Sequence, residues 1–301
     1  RALPAARPPP GPSCASILAA ACKAGEMSYK VAGHDVEFPC RPYGVQMGFM
    51  GKVLSTLDSG GHALLESPTG TGKTLSLLCS TLAWQKRWKE KASAEASACA
   101  GEGDLNQELG KKKSKPKAPK IYYATRTHTQ IAQVIKELKR TTYHPKMAIL
   151  ASRKQLCVNS AVINKGGSVD DECTKLMRET ARGCSYYTGA NKLVGLQAGP
   201  LQVHDIEDLV TVAKKHRGCP YFGSRVMAQE AELVFCPYSY LLDPVVRRAL
   251  QVAVEGAVVV FDEAHNIEDV AREAASCDVT LEKLKMALDA LQRALRAGAD
   301  P

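Results

Sequence analysis

Apolar positions along this chain follow two patterns: short continuous runs, and stripes with helical spacing. Four short runs predict buried strands, at positions 121–124, 147–150, 233–235 and 258–260. A further run, Ala63-Leu64-Leu65, predicts one more strand. Stripes between the runs predict helices at 43–57, 74–88 and 130–140, the first with Val45, Phe49, Val53 and Leu57 on its apolar face. Strands that alternate with helices predict an α/β fold with a mainly parallel sheet covered on both sides.

Interruptions of this alternation predict the domain organisation. Residues 1–28, rich in Ala and Pro, predict a disordered tail, and residues 91–119 predict a disordered basic insertion. Residues 152–220, rich in Cys, Gly and charge, predict an inserted module that divides the main domain into 29–151 and 221–277. Beyond them, in 278–301, leucines at 281, 284, 288 and 291 predict an amphipathic helix that packs on the core.

A Gly-rich segment after the run at 63–65 carries the first candidate chemistry. It reads Ser67-Pro68-Thr69-Gly70-Thr71-Gly72-Lys73-Thr74. A loop of this kind wraps phosphates with backbone N–H groups, and a helix that begins at its end points its N-terminus at them. Lys73 offers a positive charge to the β/γ-phosphates and Thr74 a hydroxyl to Mg²⁺.

An acidic pair supplies the complementary half of the site. Phe261-Asp262-Glu263-Ala264-His265 ends the apolar run at 257–261. Ligands of parallel α/β sheets bind at the carboxyl ends of the strands, so Asp262 is suited to hold Mg²⁺ and Glu263 to orient or deprotonate a water. The two motifs together predict binding and hydrolysis of ATP or a similar triphosphate. The alternative is a Gly-rich turn and an acidic helix start that bind no ligand.

The charge balance favours an anionic partner such as nucleic acid. The chain has 40 Lys and Arg against 31 Asp and Glu, a net charge of +9. Six of the lysines lie within 111–120, so a solvated basic linker explains part of the excess. That cluster is either a nuclear localisation signal or a plain charged loop. No apolar run reaches roughly 18 residues, which excludes a membrane-spanning segment in this sequence.

Eleven cysteines are many for a chain without secretion features, and they suggest metal ligation by some of them. Four lie in the inserted module, at Cys157, Cys173, Cys184 and Cys219. No pair of these four has Cys-x-x-Cys spacing, so spacing alone favours buried cysteines over ligands. Basic residues flank the first and the fourth. A bound iron–sulfur cluster would offset the charge of four thiolates and hold a loop-rich module together.

Longer motifs carry a family resemblance. They are Glu66 to Thr74, Tyr123-Ala124-Thr125-Arg126-Thr127-His128-Thr129-Gln130, Cys236-Pro237-Tyr238-Ser239-Tyr240-Leu241-Leu242-Asp243, and the DEAH box Asp262-Glu263-Ala264-His265. On these motifs, across about residues 29–295, the chain resembles the XPD-like iron–sulfur helicases of superfamily 2. Ser67, where the general phosphate-loop pattern begins with Gly, is a variant typical of helicases.

The resemblance implies a RecA-like motor domain, interrupted by an iron–sulfur module, of a nuclear ATP-dependent DNA helicase. Such an enzyme moves 5′ to 3′ on single-stranded DNA and acts in DNA repair and genome maintenance. The implied cofactors are ATP, Mg²⁺ and a [4Fe–4S] cluster held by the four module cysteines. The implied partners are single-stranded and forked DNA, and the sequence does not specify any repair protein among them.

The same resemblance implies roles for further residues, each with an ordinary alternative. Gln46 would contact adenine, or else be a surface helix residue. His265 would couple hydrolysis to strand movement, or else bond the Asp-Glu pair from a helix N-terminus. Thr125, Arg126 and Thr127 follow a strand and are suited to hold DNA phosphates. Arg126 is otherwise a surface ion-pair partner.

The resemblance also implies a second motor domain, and nothing after Pro301 could form one. Because arginine fingers are expected there, we expect this polypeptide alone to bind ATP weakly and hydrolyse it poorly. We therefore expect a fragment or a truncated gene product, in which 278–301 begins an arch-shaped insertion. The competing functions are a telomere-maintenance helicase of the same family, a DNA-binding module without catalysis, and a zinc-bound scaffold.

Overall fold

The computed structural model describes residues 27–68, 70–98, 117–179 and 183–297. The predicted tail and the Lys-rich part of the predicted insertion lie almost entirely outside these residues. Met27 and Ser28, which the prediction assigns to the tail, belong instead to the first strand.

Six strands form two sheets in the described part of the chain. β1 (Met27–Val31) and β2 (His34–Phe38) make an antiparallel hairpin. β3 (Ile121–Thr125), β4 (Met147–Ile149), β5 (Leu233–Pro237) and β6 (Val258–Phe261) make the main sheet, in the order β4-β5-β3-β6. Every neighbouring pair in the main sheet is parallel, which confirms the predicted α/β fold.

The α-helices of the described residues connect these strands. They are α1 (Gly44–Ser59), α2 (Lys73–Ala98), α3 (His128–Leu138), α4 (Arg153–Leu156), α5 (Ser160–Ile163), α6 (Val169–Glu179), α7 (Ala190–Val194), α8 (Ile206–His216), α9 (Pro220–Glu230), α10 (Ser239–Leu242), α11 (Pro244–Ala249), α12 (Ile267–Ala275) and α13 (Leu281–Ala297). The segment with failing periodicity, 152–220, therefore consists of short helices rather than strands.

Apolar side chains from both faces of the main sheet are buried. Ile121 and Tyr123 of β3 pack into a core shared with α1, α2 and α3. Tyr122 and Ala124 point to the opposite face and join a second core with α7, α8 and α9. This alternation along one strand confirms that the sheet is covered on both sides. The apolar stripe predicted for the helix at 130–140 is confirmed as well, because α3 buries Ile131, Val134, Ile135 and Leu138.

The strand predicted at 63–65 is wrong. Residues 61–68 form no strand, and Leu64 is 93% exposed. Three apolar residues between His62 and Glu66 offer little burial, and a strand needs a neighbour that accepts its hydrogen bonds. In the described chain, the main sheet ends at β6.

Two helices differ from their predicted patterns. α1 buries Gln46, Met50, Val53 and Leu54, whereas Val45 is exposed, so the predicted stripe lies partly on the wrong face. α2 continues to Ala98, so residues 91–98 are helical where disorder is predicted. Alternating Ala with Lys, Glu and Ser explains the extension, since Ala has the highest helix propensity.

The C-terminal helix α13 does not pack on the core. Its leucines at 281, 284, 288 and 291 are each more than half exposed, so the core-packing prediction is wrong for the described chain. Cys79 of α2, in contrast, is fully buried and packs in the core shared by α1, α2 and α3.

Candidate nucleotide site and neighbouring clusters

The candidate residues gather at one edge of the main sheet because its strands are parallel. β3 leads into Thr125-Arg126-Thr127, β5 into Tyr238, and β6 into Asp262-Glu263. Carboxyl ends of parallel strands meet at the same edge, which is where α/β folds bind ligands.

The phosphate loop is held in shape by its own side chains. The Lys73 Nζ donates to the Ser67 carbonyl at 2.8 Å, and the Ser67 and Thr71 hydroxyls lie 2.7 Å apart. Thr71 also donates to the Pro68 carbonyl at 2.8 Å. Gly70 and Gly72 have φ of 81° and 71°, a region that favours glycine. Thr69 lies outside the described residues.

Asp262 joins the two halves of the site. Its Oδ2 accepts a hydrogen bond from the Thr74 hydroxyl at 3.0 Å, although the two residues are 188 positions apart. Its side chain is almost fully buried. A hydroxyl and a carboxylate that already touch are a suitable oxygen pair for Mg²⁺, which prefers oxygen ligands.

Two tyrosines that the sequence analysis did not select hold Asp262 in position. The Tyr123 hydroxyl donates to Asp262 Oδ2 at 2.8 Å, and the Tyr238 hydroxyl donates to the Asp262 carbonyl. Burial and the Asp262 charge raise the pKa of Tyr123 well above its usual range, and burial raises the pKa of Tyr238 to about 12. Both hydroxyls therefore remain protonated donors at neutral pH. In the sequence, both tyrosines have the same pattern as an aromatic residue of the core.

Gln46 is buried, so its assignment as a surface helix residue is wrong. Its Oε1 accepts from the Tyr43 N–H at 2.9 Å, and its Nε2 donates to the Thr71 carbonyl at 3.0 Å. A Cβ on Gly72 would meet this Nε2 at 2.6 Å. Gln46 therefore connects the start of α1 to the phosphate loop.

A chain of polar contacts leads from Glu263 to the loop after β3. His265 Nδ1 lies 3.5 Å from the Glu263 carboxylate, and its Nε2 lies 2.7 Å from Asn266 Nδ2. Asn266 Oδ1 accepts from Arg126 Nη1 at 3.2 Å. Glu263 has φ of 59°, a left-handed conformation that is strained for a side chain of this size and is found mostly at functional sites.

The three candidate DNA contacts differ in accessibility. Arg126 and Thr127 are exposed, whereas Thr125 is buried and donates its hydroxyl to the Thr127 carbonyl at 2.9 Å. Thr125 therefore shapes the loop instead of facing solvent. Thr127 is also the N-cap of α3, where its side chain accepts from the Gln130 N–H.

Arg126 and Thr127 line a groove of 420 Å³ beside the nucleotide site. Its lining also includes Tyr238, Ser239 and three acidic residues, Asp243, Asp269 and Glu273. The charges that line the groove are therefore of both signs, with one guanidinium and three carboxylates. Arg126 attracts an anionic strand, whereas the three carboxylates repel it.

The four module cysteines are linked by electrostatic interactions, because Cys157 and Cys184 act on both Cys173 and Cys219. Burial raises the pKa of the Cys173 thiol, Arg153 opposes that shift, and Cys157 and Cys184 increase it. Burial likewise raises the pKa of Cys219, and Cys184 and Cys157 increase it further. Thiols separated by 15, 10 and 34 residues in sequence therefore lie close enough to repel each other when ionised.

No preassembled metal cage is found in the described ranges. Within them, no three His, Cys, Asp or Glu side chains are arranged to hold a metal ion. The chemistry of the donor set still suits an iron–sulfur cluster, because four cysteine thiols are the ligands that such a cluster requires. Arg153 lies four residues before Cys157, and its Nε is buried without a hydrogen-bond partner among the described residues.

Every helix of the described residues falls short of the length and apolarity needed to cross a lipid bilayer.

The parallel sheet, with a phosphate loop and an acidic pair at its carboxyl edge, defines a RecA-like α/β domain. The sequence profile of the DEAD_2 family matches residues 123–284, slightly more than half of the chain. The chain belongs to the DEAD_2 family.

Relatives extend this likeness beyond the profile. The chain is 40% identical over 276 residues to regulator of telomere elongation helicase 1 of Homo sapiens, covering 87% of this chain and 23% of that protein. It is 40% identical over 276 residues to the homologue of Drosophila melanogaster, covering 86% of this chain and 28% of that protein. The chain thus spans about a quarter of the length of the curated relatives it matches.

A solved structure named XPD_Helicase covers 77% of this chain, with 34% of its own length matched, at 18% identity and a TM-score of 0.49. From the runs Ile131-Ala132-Gln133 and Asn266 to Glu273, the sequence predicts a likeness first to the Fanconi anaemia group J helicase and second to the telomere-elongation regulator. The curated relatives described above carry the second name, so the first preference is not supported.

Proposed function

We propose that this chain is the first motor domain of an ATP-dependent DNA helicase. The observation that carries the proposal is the hydrogen bond between Thr74 and Asp262, because it joins the phosphate loop to the acidic motif. Membership of the DEAD_2 family and the likeness to proteins named as helicases support the same conclusion.

In this proposal the sheet edge binds Mg²⁺ and ATP. Thr74 and Asp262 would hold the metal, which offsets phosphate charge. Lys73 donates one hydrogen bond to Ser67, and the two remaining donors of its ammonium group are available to the β/γ-phosphates. Glu263 would align the attacking water, and Tyr123 would keep the Asp262 carboxylate in place. Gln46 would contact adenine once its amide gives up its present hydrogen bonds to Tyr43 and Thr71.

Coupling to DNA would run through His265 and Asn266. These residues form the contacts between Glu263, beside the proposed hydrolysis site, and Arg126, on the groove. A phosphate that takes Arg126 would release Asn266 and, through it, His265. Contacts of this type position a strand without reading its sequence.

The module between α4 and α9 would hold a [4Fe–4S] cluster on Cys157, Cys173, Cys184 and Cys219. Such a cluster would cross-link segments far apart in sequence and so stabilise short helices that bury little apolar surface of their own. A structural cluster at this place would help part the duplex ahead of the motor, with 5′ to 3′ movement on a single strand.

The biological role we propose is genome maintenance in the nucleus, on single-stranded and forked DNA. Because the relatives are named for telomere elongation, maintenance of telomeres is favoured over general DNA repair. The opposing candidate is a DNA-binding module that keeps the fold without turnover.

Stimulation by DNA tests the proposed activity. We expect ATP turnover of the full-length protein to rise when single-stranded DNA is added, since DNA binding would align the motor domains, and to stay slow for residues 1–301 alone. Phosphate release is the measurement. If DNA leaves the turnover of the full-length protein unchanged, the alternative of a DNA-binding module without catalysis is supported. If the purified protein is colourless and contains stoichiometric zinc, the alternative of a zinc-bound scaffold is supported.

Two opposite substitutions in the groove test the DNA contact. Arg126→Ala should weaken single-stranded DNA binding and reduce the slope of log affinity against log salt by about 0.7, the value for one lost phosphate contact. Glu273→Gln should strengthen binding at low salt, because it removes a negative charge from the lining of the groove. Fluorescence anisotropy across a salt series measures both effects.

The control is Glu282→Gln, which removes an equal charge from exposed α13, away from the groove lining. If Arg126→Ala binds DNA with the salt slope of the unchanged protein, Arg126 does not contact phosphate.

A further inference from the structure

Tyr238, the residue directly after β5, is hydrogen-bonded to both of the neighbouring strand ends that carry candidate chemistry. Its backbone N–H donates to the carbonyl of Thr125, the last residue of β3, at 2.9 Å. Its hydroxyl, at the far end of the side chain, donates to the Asp262 carbonyl. Its ring packs against Phe261 of β6, with the ring centroids 5.7 Å apart. One residue thus connects the end of β3 with the acidic motif after β6.

The hydroxyl of Tyr238 holds the peptide bond that leads into Glu263. The Asp262 N–H donates to the Ala124 carbonyl at 3.0 Å, and the Asp262 carbonyl accepts from Tyr238, so both backbone groups of Asp262 are held. Glu263 follows with φ of 59° and ψ of 43°. This left-handed conformation is unfavourable for a residue with a side chain, and it persists only where the surroundings impose it. The hydroxyl of Tyr238 is one of the contacts that impose it.

Tyr238 also belongs to the lining of the groove that contains Arg126 and Thr127. Only 1% of Tyr238 is exposed, whereas Arg126 and Thr127 are accessible to solvent. A strand in the groove would therefore act on Tyr238 through this loop and through the Thr125 carbonyl that the Tyr238 N–H bonds. Because the aromatic ring between the N–H and the hydroxyl is rigid, a movement of the loop reaches the peptide bond before Glu263.

We propose that Tyr238 is a positioning residue that transmits occupation of the groove to Glu263, through its hydroxyl on the peptide bond between Asp262 and Glu263. The inference rests on the proposed function, in which Glu263 aligns the attacking water. It adds a backbone route to the side-chain contacts of His265 and Asn266. Without the hydroxyl, this peptide bond is free to rotate when DNA binds, and a small displacement of the carboxylate from the water lowers the rate of hydrolysis.

The variant Tyr238→Phe of the full-length protein tests this role, because it removes the hydroxyl and keeps the ring that packs on Phe261. The stimulation of ATP turnover by saturating single-stranded DNA should fall by about 10-fold, close to the effect of losing one hydrogen bond of ordinary strength. The KM for ATP and the affinity for DNA should stay within about twofold, because the hydroxyl acts on the orientation of Glu263 and not on binding. Phosphate release and fluorescence anisotropy measure these quantities.

Tyr240→Phe is the matched control, because Tyr240 lies two positions further on, in α10, outside the lining of the groove. Its stimulation by DNA should equal that of the unchanged protein. Thermal unfolding shows whether each variant is folded. Should Tyr238→Phe fail to fold, Tyr238→Met decides by the same ratio of turnover with and without DNA, since methionine fills irregular space without a hydroxyl.

The outcomes separate this inference from the proposal beneath it. If DNA stimulates Tyr238→Phe as strongly as the unchanged protein, the positioning role is overturned. An equal fall in turnover with and without DNA overturns it as well, because a general loss of activity leaves the ratio unchanged. A loss of stimulation in Tyr240→Phe as large as in Tyr238→Phe has the same consequence. An unchanged protein that DNA does not stimulate overturns the proposed helicase activity itself.

Discussion

The Lys73→Ala variant is expected to lose ATP turnover by about 100-fold or more, since removing a single preorganised donor to developing charge costs about that much. The Lys73 Nζ lies against the Ser67 carbonyl at the start of the phosphate loop, where two of its donors remain available. Without this ammonium group, charge on the β/γ-phosphates is offset by the metal alone. Phosphate release by the full-length protein with saturating single-stranded DNA measures the effect.

Lys52→Ala serves as the control because Lys52 is an exposed lysine of α1. It should keep full turnover. Thermal unfolding of both variants shows whether Lys73→Ala stays folded, as expected, because its Nζ bonds a loop carbonyl and not the core. Turnover of Lys73→Ala within twofold of the unchanged protein would overturn the phosphate-loop assignment.

The main sheet could be predicted because three of its four strands, β3, β4 and β5, are buried on both faces. Each of the four runs that formed it is continuous in apolar residues, and β3 is fully buried along its length. The run at 63–65 looked the same over three residues, yet Leu64 faces solvent. Three apolar residues show that a segment is hydrophobic. They do not show whether a neighbouring strand is present to form hydrogen bonds with it.

Helical periodicity predicted where helices form more reliably than it predicted which face of each helix is buried. The stripe on α3 matched its buried face, because α3 packs against the sheet along its whole length. On α1, Gln46 took a buried position that a purely apolar stripe assigns to the opposite side. For α13, the leucine repeat indicated an apolar face but contained no information on what lies against it.

The nucleotide site was largely predictable because its chemistry is concentrated in two motifs. Thr74 and Asp262 meet as the order of strands requires. Tyr123 and Tyr238 were missed because a tyrosine in or after a buried strand has the same pattern as a core aromatic. Asn266 was missed because its role depends on a contact with Arg126, which is 140 positions away in sequence.

The Cys184→Ser variant is expected to lose iron by at least about 10-fold, the lower end of the effect of losing even a partner outside the metal ligands. Cys184 is buried and receives a hydrogen bond from Asn159, and, like Cys157, it helps to raise the pKa of both Cys173 and Cys219. Serine has nearly the same size but offers a hydroxyl in place of a thiolate, which is the ligand that iron–sulfur clusters require. Iron and sulfide per chain, with the visible absorbance of the anaerobic protein, measure the loss.

Unwinding should fall with the iron, while nucleotide binding should remain, because the hydrogen bonds that shape the described part of the phosphate loop and hold Asp262 involve no module cysteine. Cys277→Ser is the matched control: Cys277 is exposed, so the same substitution there should leave iron unchanged. Full iron content in Cys184→Ser would exclude Cys184 as a ligand. Iron lost together with nucleotide binding would instead mean that the module and the motor domain unfold as one unit, and the separation of their roles would be wrong.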